Sequence, residues 1–197
     1  MVIDKMIANH MKWLNSLGQQ GEQLFISETD LSNQDFSNID LSETVILDSN
    51  LDSANLMNAN LSNSNLGYSS FKLSNLTRAS LVKAEANHTN FEKAIMVNCN
   101  AFRTTFIESN FEEADLTGAN LASTLLSEAN LENVILNQGD LSNSSISGCR
   151  VHGIKLIGVK GIETISVDWI DIGSKRNPEK LFGEAAVEWL ARRAKEK

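Results

Sequence analysis

The side chains able to hold a transition metal or to form a Cys/His nucleophile pair are few: His10, His88 and His152, with Cys99 and Cys149. The histidines share no register, so their spacing predicts neither a metal site nor a catalytic pair. The chain has no Gly-rich phosphate loop, dinucleotide fingerprint or nucleophile elbow, and its many serines are accounted for by turns and small inward positions. Carboxylates are numerous but fall at solvated positions, with no apolar pocket to raise a pKa for acid–base work. The expectation is a protein that is not an enzyme and needs no cofactor or metal. His10 reads as a helix residue at a cap.

The elements that position these residues follow from one stretch, "LDSANLMNANLSNSNL", residues 51–66, with a leucine at every fifth position. Counted in fives, the beat runs without change of phase from Ile26 to Leu156 and is apolar throughout. Two residues before each beat a second position is mostly small, as at Ala54, Ala59, Ser64, Ala79 and Ala84, with Gln34, Ile39, Val134 and Ile154 as larger exceptions. On an α-helix five residues advance about 500°, so the leucines would spiral over every face. On a flat strand, residues five apart point to opposite sides. A chain that runs extended for three residues and then turns a corner keeps both the small and the large residue inward. Of the 26 positions just before a beat from Asp30 to Lys155, 15 are Asn or Asp, whose side chains bond nearby backbone and tolerate turns.

Units such as "ANLMN", "ANLSN", "ADLTG", "ANLAS" and "ANLEN" resemble the A-[DN]-L-x-x unit of the pentapeptide-repeat family. The resemblance covers about residues 26–156 and implies an all-β solenoid: a right-handed quadrilateral β-helix of four pentapeptides per coil, with N-terminal and C-terminal α-helical caps. Residues 20 apart then stack, and one core ladder reads Leu31, Leu51, Phe71, Phe91, Phe111 and Leu131. Coils about 4.8 Å apart give a column about 31 Å tall. Cys99 and Cys149, both inward, then lie on opposite sides and about 12 Å apart along the axis, beyond disulfide reach.

The flanks supply the caps that a solenoid needs. Residues 1–25 are expected to form a capping helix and linker, 26–160 the repeats, and 161–197 a C-terminal segment and second capping helix. Ile3, Met6, Ile7, His10, Trp13, Leu14 and Leu17 fall at helical spacing, with Gly18 and Gly21 as the stop. At the other end Asn177 is expected to cap a helix with Pro178 in its first turn, carrying Leu181, Phe182, Trp189 and Leu190. Trp13, Trp169 and Trp189, all outside the repeats, are candidate capping residues. The chain of 197 residues carries a net charge of −8 and has neither a long apolar run nor a signal-peptide pattern, so a cytoplasmic location without membrane contact or direct nucleic-acid binding is expected.

What remains is the surface. Residues 26–52 hold seven acids and no Lys or Arg, 53–107 are net basic, and 108–140 again hold seven acids and no base. In the middle, Ile95, Val97, Phe102 and Ile107 take nominally outward positions near Arg78, Lys83, Lys93 and Arg103. This set is a candidate protein-interaction patch; the alternative is a local bulge that turns Phe102 inward to fill space beside Ala101. The expected function is recognition of an unidentified protein partner. The family resemblance implies an alternative. Its quinolone-resistance members imitate duplex DNA and bind type II topoisomerase (DNA gyrase), and the C-terminal segment could support a homodimer as well as a monomer. A 31 Å duplex carries about 18 phosphates, against nine net negative charges in the repeats here.

Overall fold

The computed structural model describes residues 2–196. Its elements are helix α1 (Val2–Asn15), short strands β1 (Phe25–Ser27) and β2 (Val45–Leu47), a 3-10 turn (Ile162–Thr164), strands β3 (Trp169–Asp171) and β4 (Lys180–Phe182), and helix α2 (Gly183–Lys195). Between β1 and the 3-10 turn the chain is a column of coils. Parallel bridges join residues 20 apart, from Asp30 to Asn50 through Asp140 to Lys160, at every fifth residue. A bridge every fifth residue in a 20-residue coil gives four sides. We number the faces by the coil that opens the column: face I holds residues 29–31, face II 34–36, face III 39–41 and face IV 44–46, each repeating every 20 residues.

Every beat residue from Ile26 to Leu156 is buried, none more than 5% exposed. The small position is buried from Thr44 to Ile154, but Thr29 is exposed and Gln34 and Ile39 only half-buried, because no coil lies above them. Hydroxyls in the small position are accommodated by donating to backbone: Ser64 to the Leu61 carbonyl, Thr104 to that of Leu81, Ser109 to that of Ala86. On face I, Phe71, Phe91 and Phe111 stack with ring centroids 5.3 and 5.0 Å apart. Phe106, from face IV, meets Phe91 and Phe111 edge-on in the space that Ala86 leaves.

The corners explain the sequence between the beats. The second corner residue is left-handed at every corner from Glu28 to Gly158, with φ between 48° and 79°. Only Gly118, Gly148, Gly153 and Gly158 are glycines there; elsewhere an L-residue accepts a cost of about 1–2 kcal/mol. Two bonds hold the corner. The N–H of the left-handed residue donates to the next coil, as from Asn58 to the Thr77 carbonyl at 3.0 Å. And wherever Asn or Asp precedes the beat, its side-chain oxygen accepts the N–H two residues on, as for Asp30 with Ser32 (3.0 Å) and Asp140 with Ser142 (2.8 Å).

The ends differ from expectation in two places, at Leu17 and at Asn177–Phe182. Leu17 is outside α1, left-handed and 90% exposed, since the helix stops at Asn15. Gly21 lies close against α1: a Cβ there would come 2.2 Å from the Asn9 carbonyl oxygen. After Lys160 one extra residue enters at Gly161 (φ 77°), so the later bridges join residues 21 apart, Ser145 with Ser166 and Arg150 with Asp171. Pro178 and Asn177 do not begin a helix. Asn177 closes a tight turn with Ser174, and residues 180–182 form β4, antiparallel to β3, with Ile170 opposite Leu181. Helix α2 starts only at Gly183 and buries Ala186 and Leu190 over the end of the core.

Candidate functional site

His10, His88 and His152 lie apart. His10 is fully buried on the inner side of α1, its Nε2 donating to the Ser42 carbonyl (3.0 Å) and its Nδ1 accepting the Leu24 N–H (3.1 Å). Burial lowers its pKa from the usual 6.5. His152 sits 3.2 Å from the Ile172 carbonyl. Cys99 and Cys149 are buried on opposite faces, III and I, and burial pushes both thiols up to about 12. Trp13 stacks on His10 (5.8 Å), Trp169 lies under the Lys180 ammonium (3.7 Å) and Trp189 under the Arg193 guanidinium (4.9 Å), all three half-buried.

The residues of the candidate patch do not form one surface. The repeat register puts Lys93 on the I/II corner, Arg78 and Val97 on II/III, Lys83, Phe102 and Arg103 on III/IV, Ile107 on IV/I and Ile95 on face II. Five of them border face III: the Lys83 N–H donates to the Phe102 carbonyl (3.0 Å) and the Arg78 N–H to that of Val97 (2.9 Å). The coil keeps its register at residues 101–105, and Phe102 faces outward, half-buried, with the Arg103 guanidinium 5.0 Å from its ring centre.

Folding turns the charge bands of the sequence into sides. Face I and its two corners carry Glu28, Asp30, Asp48, Asp52, Glu92, Glu108, Glu112, Glu113, Glu128 and Glu132 against Lys72, Lys93 and Arg150. Face III and its corners carry Asp40, Glu43 and Asp140 against Arg78, Lys83, Arg103 and Lys160. The two corners of the acidic side are unlike. On I/II three of the five acids are paired with bases: Lys72 with Glu92 (3.0 Å), Lys93 with Glu92 (3.6 Å) and Glu113 (3.7 Å), and Arg150 with the buried Glu132. On IV/I the outermost column reads Glu28, Asp48, Tyr68, His88, Glu108 and Glu128, all exposed and with no lysine or arginine among them. Tyr68, 63% exposed, stacks on His88 (4.7 Å, 9°), and His88 Nδ1 lies 3.6 Å from Glu108. Tyr68, the one tyrosine of the chain, was not singled out in the sequence; counting its column in twenties would have found it.

A four-sided parallel β-helix with a five-residue unit defines a solenoid whose variable side chains stand at corners and whose core is filled by its own beats. Pentapeptide repeats are matched in eight copies, over residues 26–63, 54–92, 87–122 and 124–160. The chain belongs to the pentapeptide-repeat family, whose fold is the right-handed quadrilateral β-helix. Among solved structures it is similar to HetL, a pentapeptide repeat protein involved in heterocyst differentiation regulation from Nostoc sp. strain PCC 7120, at 22% identity over 80% of this chain and 76% of that one (TM-score 0.40). It is also similar to QnrB1, a plasmid-mediated fluoroquinolone resistance protein, at 16% identity over 74% and 77% (TM-score 0.50). A pentapeptide repeat protein from the Arabidopsis thaliana thylakoid lumen shares 20% identity over 66% and 67% (TM-score 0.35). No curated protein sequence matches the chain. Among the described residues no helix is long and apolar enough to cross a membrane.

Proposed function

We propose that this protein acts without catalysis, as a rod that docks on a protein partner through the corner between faces IV and I. One observation carries the reading: four exposed carboxylates and the stacked Tyr68–His88 pair share a single column. A partner offering a basic groove would be steered toward this corner by complementary charge. Tyr68, held upright by His88, is the type of side chain on which binding energy concentrates, and its face suits an arginine or lysine of the partner. The test is affinity capture from the native cell with the wild-type chain, Tyr68→Ala, Asp48→Lys/Glu128→Lys and Phe102→Asp. The partner is expected on the wild-type and Phe102→Asp rods and absent from the other two. Loss with Phe102→Asp alone would move the contact to Arg78, Lys83, Val97, Phe102 and Arg103 beside face III.

A second reading makes the partner a type II topoisomerase. It is favoured by the two acidic corners, which run parallel along face I about 10 Å apart, three extended residues at about 3.3 Å each. It is weakened by the ion pairs that offset much of the negative charge of the I/II corner. A supercoiling assay with purified DNA gyrase separates the readings: inhibition or protection from quinolone at micromolar protein supports the topoisomerase, and neither effect removes it.

A further inference from the structure

We propose that the N-terminal edge of the column, along faces I and II of its opening coil, takes a peptide of two apolar–basic–apolar triplets that turns the corner between them, adding one short strand to each face. Within the column each coil is hydrogen-bonded on both sides; the Leu31 N–H donates to the Asn50 carbonyl and the Asn50 N–H to that of Thr29. The opening coil has a coil on one side only. Among the described residues, the N–H and carbonyl groups of Asp30 and Asp35 that would meet a preceding coil have no backbone partner. Helix α1 closes the other half of this end, where His10 bonds both the Ser42 carbonyl and the Leu24 N–H.

The open half adjoins a groove lined by Ile3, Met6, Phe25, Ile26, Leu31 and Gln34. Phe25 is 58% exposed at its rim. An extended chain laid on the edge gains ladder hydrogen bonds, and its inward residues enter the groove, as in strand addition elsewhere. The outward residue between them stands over Asp30 or Asp35. The coil below shows what that position needs, since the Asn50 and Asn55 amides donate to these carboxylates at 3.1 and 3.0 Å. Asp, unlike Asn, has no donor to offer the other way, so the incoming side chain must be a donor, and the charge favours lysine or arginine. The same carboxylates disfavour a second copy of this chain, whose edge would bring Asp30 and Asp35 against their own kind. This site is separate from the IV/I corner and stands or falls without it.

The test is an NMR titration of the full-length chain with a ten-residue synthetic peptide carrying two apolar–lysine–apolar triplets spaced five residues apart. Without peptide, the Asp30 and Asp35 amides should exchange with solvent much faster than those of Asn50 and Asn55. With peptide, their signals should shift and their exchange slow, and a glutamate-for-lysine peptide should bind at least fivefold more weakly. Asp30→Asn/Asp35→Asn, which keeps both corner turns, should also weaken the lysine peptide at least fivefold, while Tyr68→Ala should leave it unchanged. Slow exchange of Asp30 and Asp35 in the free protein, absence of shifts at millimolar peptide, equal binding of the two peptides, or equal binding by the double variant would each overturn the proposal. So would light scattering that shows two wild-type chains joined through this edge.

Discussion

At the residue scale, chemistry is governed by burial. Cys99 and Cys149 fill small inward positions, and with thiols pushed up to about 12 they hold almost no thiolate at neutral pH. We expect neither to react with iodoacetamide in the folded protein and both to react in guanidinium, as counted by mass spectrometry. His10 is buried, and burial lowers its pKa. Its Nδ1 accepts the Leu24 N–H, so the protonated ring must lose that bond. The unfolded chain takes up this proton near 6.5 and the folded chain only at a lower pH. The His10 contribution is therefore complete above about 6.5 and is lost as pH falls through the folded value. The urea midpoint should fall between pH 7.5 and pH 5.5, and fall less in His10→Ala, which starts lower. That His10 belongs to a cap was legible from helical spacing; its two backbone partners, 14 and 32 residues away, were not.

Among the elements, the column was legible and its closing segment was not, for a physical reason. A beat that recurs every five residues stays dry only if the chain turns a corner each time, so Ile26 to Leu156 could be placed inward before any contact was known, whereas the number of sides followed from the family resemblance and not from the period. Lys180–Phe182 carries no such constraint: Leu181 and Phe182 suit a helix face as well as a strand, and only pairing with Trp169–Asp171 decides the matter. The end of α1 is instead a local turn, with Leu17 left-handed and the Gly18 N–H donating to the Trp13 carbonyl (2.9 Å). Within the column the phenylalanine stack is the most tightly coupled element. Phe91 touches Phe71, Phe106 and Phe111, so Phe91→Ala should cost about 3–5 kcal/mol. Urea denaturation followed by circular dichroism measures this; a loss below about 1 kcal/mol would mean that neighbouring coils close the space.

At the scale of the whole molecule, the candidate surface was the least legible feature. Along the sequence, acids alternate with bases in bands, and Arg78, Lys93, Phe102 and Ile107 look like neighbours. Around the column they occupy four different corners, because adjacency on the surface runs in steps of 20. The acids at residues 28, 48, 108 and 128, dispersed over a hundred positions, align on one corner instead.

That step size dictates which changes of length the protein can absorb. Excising residues 115–134 removes one full turn, so both helical ends keep their azimuth and the product should melt cooperatively with unchanged circular dichroism per residue. Excising only 115–119 preserves the interior but swings everything beyond it through a quarter circle. Asn133 would then stand where Glu128 stood, and α2 would face a different compass point from α1. The shortened chain should fold and hold the partner of the acidic corner less tightly, because Glu128 leaves the column while Glu28 to Glu108, upstream of the cut, keep their places; an indel which spares the interior edits the recognition surface by rotation alone.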